Sequence, residues 1–423
     1  MNKRYCSIIA LFTALSLIIS GCRDSSEVDD NVYAVSIGLD IGINNKVIVT
    51  VQYPVYIKGS GGENGVESGV GGNSNVHSVE APAILEAIDL MNMAISRRVQ
   101  LTHTKMLVIS EDLAKQGIGA FLAPLARYRG SRRTMFIVVT KGKAIDFIYE
   151  NQTNIGESIT KSMELMMAQS KHTGFFPMEN FHYFYRDILS NYSNAIAIYA
   201  GVNKHQELNV GGGEANPSIV TQSDIKPGEM PRLGTAKREF VGTAIFNGDK
   251  LVGSLNPYET RYMLIITNKF KKGIMTIEDK NSPGNGIIFS IRNGRATKVR
   301  GRLVNGKPVI DVDVNIEADI NAIHSRINYE SLKLIENLNK QLKEELQTGI
   351  EKTIEKTKNE YKSDIFGFGK VFAGYFPTIQ EWEKFDWLSH YPDAKVNVNV
   401  TVNIRRTGTN IDSSPIQKGT IDE

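Results

Sequence analysis

The chain's nucleophiles, metal ligands and acid–base groups are few and scattered. There are two cysteines, seven histidines at 77, 103, 172, 182, 205, 324 and 390, and 46 Asp and Glu residues spread along 423 positions. A helical metal centre needs histidines four apart, or close Cys/His pairs, and no two of these histidines are so placed. No G-x-S-x-G elbow and no dinucleotide fingerprint after a strand is present, and no two carboxylates are marked as an acid–base pair. The glycine run from Gly59 to Gly72 lacks the Lys-Ser/Thr pair that a phosphate loop carries into its helix, so it reads as a mobile surface loop. Asp311-x-Asp313-x-Asn315 opens like a calcium loop, but Ile316 stands where that loop needs glycine, which excludes calcium. His103 reads as a structural histidine at a strand entrance. Arg132-Arg133 and Arg405-Arg406 suit either an anionic surface or plain solvation. Trp382 and Trp387, with Phe376-Pro377 and Tyr391-Pro392, read as core. The expectation is therefore no catalytic residue, no metal and no cofactor, with any ligand-binding residues unknown.

One sulfur remains with chemistry to do. Lys3 and Arg4, the apolar run from Ile8 to Ile19 and the small exit Ser20-Gly21-Cys22 follow the order of a secretory signal over residues 1–21. The uncharged stretch falls short of the roughly 20 apolar residues of a membrane span. Ile19-Ser20-Gly21-Cys22 resembles the lipobox, in which the cysteine sulfur takes a diacylglycerol and the peptide is cut just before it. Cys22 is thus the expected lipidation site. Cys6 leaves with the signal, so no intramolecular disulfide can form. Taking Lys3 and Arg4 from 49 basic residues leaves 47 against 46 acidic ones, so bulk charge adds nothing to membrane attachment, and acyl chains at about 0.8 kcal/mol per buried CH₂ must hold the chain. The same balance excludes a strongly basic nucleic-acid binder.

The elements that would position any site follow from periodicity. Val32 to Asp40 and Lys46 to Tyr56 read as strands around Gly42-Ile43-Asn44-Asn45. Ala81 to Ser96 reads as a core-facing helix, with Arg97-Arg98 at its C-terminal end where cations suit the dipole. Lys105 to Ser110 and Met135 to Thr140 read as buried strands with helix starting at Glu111, a βαβ-type unit. The Gly- and Pro-rich residues 209–234 read as a linker between a domain over 22–208 and a region over 235–407, itself divisible near 305/306, with a polar tail over 408–423. Glu239 to Phe246 and Lys250 to Ser254 flank Asn247-Gly248-Asp249, a hairpin that should open the second unit. Asn256, Pro257 and Glu259 fit the N-cap, N1 and N3 positions of a following helix. Val309 to Ile320 alternates apolar with acidic residues, one face buried and the acidic face wet. Tyr329 to Lys362 is a long amphipathic helix, and Lys395 to Arg406 a closing strand. The fold class expected is α+β, multi-domain, with mixed sheets and the long helix near the C-terminus.

These residues resemble the Ger(x)C lipoproteins, the C subunits of spore germinant receptors. The resemblance runs through Ile37-Gly38-Leu39-Asp40, His103, Val138-Val139-Thr140-Lys141-Gly142, Gly242 to Gly253 with Glu259-Thr-Arg261, Asp364-Ile-Phe-Gly-Phe-Gly369, Tyr391-Pro392-Asp393 and Val396 to Gly408. It departs at Arg23, where many members carry tryptophan; the sulfur chemistry is untouched. The resemblance implies a non-catalytic lipoprotein on the outer face of the cytoplasmic membrane (the spore inner membrane), assembled with integral-membrane A and B subunits and needed for nutrient-triggered germination. It supplies no ligand-contacting residues, and the partner-facing surface is expected on the acidic-stripe strand or the long helix. A lipid-anchored solute-binding protein of a transport system is the alternative.

Overall fold

A computed structural model of the protein describes residues 27–55, 74–152, 158–208, 221, 223–325, 327–329 and 331–406, together with 4, 5 and 13. The Gly59 to Gly72 run, Cys22 and the polar tail lie outside these residues. The strands are β1 (Asn31–Tyr33), β2 (Ser36–Ile41), β3 (Val47–Pro54), β4 (Ser74–Ala81), β5 (Arg98–Gln100), β6 (Met106–Ser110), β7 (Phe136–Lys141), β8 (Ile196–Val202), β9 (Arg238–Asn247), β10 (Lys250–Leu255), β11 (Lys272–Glu278), β12 (Gly286–Val304), β13 (Lys307–Ile323) and β14 (Lys395–Arg406).

Eight of them form one sheet in the order β10-β9-β8-β7-β6-β2-β3-β4. Its centre, β2-β6-β7-β8, is parallel, and antiparallel pairs extend it on both sides. The central strands are covered on both faces, which is why Met106-Leu-Val-Ile and Phe136-Ile-Val-Val run apolar without alternation. The covering helices are α1 (Ile84–Asn92), α2 (Glu111–Gln116), α3 (Gly119–Arg127), α4 (Ala144–Tyr149), α5 (Ile159–Ala168) and α6 (Phe181–Ile188). Leu107, Ile109, Ile137 and Val139 pack with α1, α2, α3 and α6. Their sequence neighbours Val108 and Val138 pack with α4 and α5.

Two expectations are corrected here. The first helix is shorter than its periodic stretch: Ala81 closes β4 and Arg98 opens β5, opposite Asn31 of β1, so Arg98 serves a strand and caps no helix. The hairpin expected to open a second unit belongs to the first sheet, since β9 pairs with β8 along Ile196↔Ile245 to Val202↔Arg238. A strand buried as thoroughly as β8 cannot leave one row of amides unpaired.

The second sheet is β11-β12-β13-β14. Asn305 and Gly306, with φ of 50° and 75°, make the two-residue turn between the long strands β12 and β13. A division near 305/306 would thus cut a hairpin within one sheet. The capped helix α7 (Pro257–Ile266) forms as expected, with Asn256 accepting from the amides of Tyr258 and Glu259 and Glu259 accepting from Asn256 N. The long helix α8 (Leu332–Asn359) buries Leu338, Leu342, Leu346, Ile350 and Ile354 against the inner residues Ile310, Val312, Val314 and Ile316 of β13 and against Val400 of β14. Strand β14 then returns parallel to β13. The fold is α+β and multi-domain.

Candidate functional site

The described body begins at Glu27, whose carbonyl accepts from Asn31 Nδ2 at 2.9 Å as the chain turns into β1. Beside this point a hollow of about 390 Å³ is lined by Tyr33, Tyr53, Pro54, Val55, Asn75 and Ile95, among others. His77 stacks on Tyr53, with ring centres 5.6 Å apart, and its Nε2 lies 3.0 Å from the Tyr53 hydroxyl. His103 is exposed, with its ring edge-on to Tyr33 at 4.5 Å.

The two halves are joined by buried polar side chains. The carboxylate of Asp364, fully buried, accepts from the amides of Phe366, Gly367 and Gly369 and from Trp387 Nε1, at 2.9–3.0 Å. The backbone of Asp364 exchanges hydrogen bonds with Asn194, just before β8: Asn194 N donates to its carbonyl (2.6 Å) and its N–H donates to Asn194 Oδ1 (2.9 Å). Gly367 sits at φ 72°, and a Cβ on Gly369 would lie 2.5 Å from Trp387 and from the Tyr192 carbonyl. The spacing Asp364-Ile-Phe-Gly-Phe-Gly369 is therefore that of a latch between the sheets. Burial pushes the Asp364 carboxyl up to about 6, outweighing the donors that favour its charged form.

A second fastening runs from α7. Arg261 is buried and donates to the carbonyls of Thr173 (Nε and Nη2) and Ile274 (Nη1) while its guanidinium lies 4.6 Å from the Phe175 ring centre. Desolvation pulls it down to about 10, still fully charged at neutral pH. Glu259 accepts twice from Lys356 of α8 at 3.0 Å, and Tyr361 donates its hydroxyl to the Ser254 carbonyl of β10. Trp382 and Trp387 are buried, as expected.

The acidic face of β13 is not simply wet. Asp313 pairs with Arg300 at 2.6 Å, Asp319 with Arg292 at 2.5 Å, Asp311 with Arg302, and Glu317 with Arg292 and Arg405. Asn397 and Asn399 of β14 donate to Asp311 and Asp313. The outer sheet face thus neutralises its own charge, Arg405 is spent inside it, and the calcium-like residues lie on a strand facing guanidiniums. Arg132 and Arg133 bond locally to Thr134 and to the Ala126 carbonyl. No group of three or more potential metal ligands occurs among the described residues.

Sequence reasoning missed β4, Asn194 and two buried charges. Glu239 accepts from Asn203, Gly228 N and Arg232, and so fastens the end of the expected linker to β9. Arg238 lies between the rings of Phe147 and Phe240, with Nη1 lacking a hydrogen-bond partner among the described residues. A charged pair beside a linker gave no periodic signal.

Two family models tile this architecture. The spore germination protein N-terminal domain matches residues 24–202, and the spore germination B3/GerAC-like C-terminal model matches residues 241–408. The chain belongs to the GerAC-like family of spore germination proteins. Within the family, spore germination protein KC of Bacillus subtilis (strain 168) is 26% identical over 96% of both chains. GerQC of Bacillus cereus is 21% identical over 94% of this chain and 98% of its own length. The crystal structure of the GerBC protein shares the fold, with a TM-score of 0.51 at 16% identity, covering 87% of this chain and 96% of that one. The GerAC-like motifs Glu259-Thr-Arg261 and Asp364 to Gly369 are the two fastenings described above. Both hold the two halves of this chain together.

Proposed function

We propose that the chain is the lipid-anchored, non-catalytic C subunit of a nutrient germinant receptor. It is held through Cys22 on the outer face of the cytoplasmic membrane that becomes the spore inner membrane, and assembled with integral-membrane A and B subunits. The family match, which begins at residue 24, two residues after Cys22, carries this reading. No helix among the described residues is long and apolar enough to cross a membrane; a diacylglycerol on Cys22 would supply the attachment, two acyl chains anchoring stably where one binds reversibly. The motif residues support a scaffold: Asp364 and Arg261 are buried, and their hydrogen bonds go to this chain's own backbone and to Trp387.

Replacing Cys22 by alanine in sporulating cells tests the reading. The expected outcome is release of the protein from the membrane fraction together with a fall in nutrient-triggered germination. Release without any change in germination would overturn it. A solute-binding protein would instead show a nutrient-dependent rise in the melting temperature of its soluble body, because a ligand that binds only the native state stabilises it.

A further inference from the structure

Sheet edges are where a fold is open to another chain, because a terminal strand carries a row of unpaired amides and carbonyls. Of the four edges of the two larger sheets, three are each met by a side chain from elsewhere in the described chain. Tyr361 covers β10 at the Ser254 carbonyl. Arg261 and Gln341 donate to the Ile274 and Glu278 carbonyls of β11. Asn339 of α8 accepts from Ile404 N of β14.

The remaining edge of these two sheets, β4, is open in the described structure. The Gln52 carbonyl accepts from Val35 N, so Gln52 is turned toward β2 and its neighbours Val51 and Tyr53 toward β4. With Val51 opposite His77 and Tyr53 opposite Asn75, the amides of Val76, Ser78 and Glu80 point outward. None of these amides makes a hydrogen bond in the described structure. The strand is eight residues long, pairs with β3 without a bulge, and contains neither lysine nor proline, the usual defences of an edge.

The position of this edge selects its occupant. Asn75, at the start of β4, lines the same hollow as Asn31 to Tyr33, where the described chain begins. Five residue steps separate Cys22 from Glu27, a reach of at most about 18 Å. On the receptor reading above, which this inference requires, that end of the sheet is therefore confined next to the bilayer. We propose that β4 is completed by an extended segment of an integral-membrane receptor subunit. That segment adds as a ninth strand and sets an apolar side chain into the hollow formed by Tyr33, Tyr53, Pro54, Val55 and Ile95. Backbone pairing supplies the attachment and the hollow supplies register, as in other strand additions.

The test uses the full chain in spores. In Ser78→Pro the missing amide is one that points outward, and the ring blocks strand addition while leaving the backbone bonds to β3 in place; the Ser78 hydroxyl contact with Thr50 Oγ1 of β3 (2.8 Å) is lost. The expected result is unchanged membrane retention with co-purification of the integral-membrane subunits reduced about tenfold or more. A photocrosslinking residue at Asn75 should in parallel give an adduct with one of those subunits. A folded Ser78→Pro chain that co-purifies like wild type overturns the inference. So does an adduct joining two copies of this chain, or the lack of any protein adduct. If Ser78→Pro does not accumulate, the crosslink alone decides. Failure of the wild-type chain to co-purify with any integral-membrane subunit would sink the receptor reading and the strand addition with it. Co-purification that survives blockage of β4 sinks only the latter.

Discussion

At the scale of single residues, the decisive groups are buried charges that act on structure. Asp364 is held up to about 6 from an ordinary value of 3.8, so the folded state binds its proton more tightly than the unfolded chain does. Its contribution to stability is thus fully present below about pH 4 and is lost as pH rises through 6, about 3 kcal/mol in all at 1.36 kcal/mol per unit. Asp364→Asn removes the titration. Denaturant titrations of the two proteins should show the wild-type advantage largest near pH 4 and shrinking by about that amount at pH 7; a constant difference would mean that Asp364 is ionised throughout. The motif around Asp364 was visible in the sequence as a pattern, yet its role was not. The partner Asn194 lies 170 positions away, and no local rule links them.

At the scale of elements, periodicity served well where one face of an element meets one core. Lys395–Arg406 forms over the predicted span, a helix starts at Glu111 as predicted, and the long helix α8 is amphipathic as predicted, burying Leu338, Leu342, Leu346, Ile350 and Ile354 in one stripe. Leu346, fully buried in that stripe, should cost about 3 kcal/mol when cut to alanine, from lost transfer energy plus the cavity left behind. Exposed Lys343, three residues earlier, should change stability by less than about 0.5 kcal/mol, and paired urea melts would show the contrast. Periodicity failed for β4. Ser74-Asn-Val-His-Ser-Val-Glu-Ala is polar on both faces, because an edge strand is only half covered. The acidic stripe of β13 misled in the opposite way, since its carboxylates are met by arginines of β12 and β14.

At the scale of the molecule, the two sheets are bound together by a chain that leaves the first sheet late. Strands β9 and β10 complete the first sheet, and α7 then enters the second core directly. A fragment ending at residue 208 should therefore expose the buried edge of β8 and fail to fold, whereas one carried through Leu255 restores the sheet. Amide exchange in β7 and β8 distinguishes the two: protection in the shorter fragment would show that β9 is dispensable.

What the sequence determined alone was local: the capped start of α7, the stripe of α8, the alternation of β13 and β14, and the family to which these belong. Each follows from residues within a few positions of one another, where spacing maps directly onto one face or one turn. Only the tertiary structure decided which sheet takes the hairpin, how Asp364 finds Asn194, that the acidic stripe is neutralised, and that the outward amides of β4 are left unpaired. Those outcomes depend on pairing between residues far apart in the chain, and strand order and charge pairing are settled by burying the whole core at once.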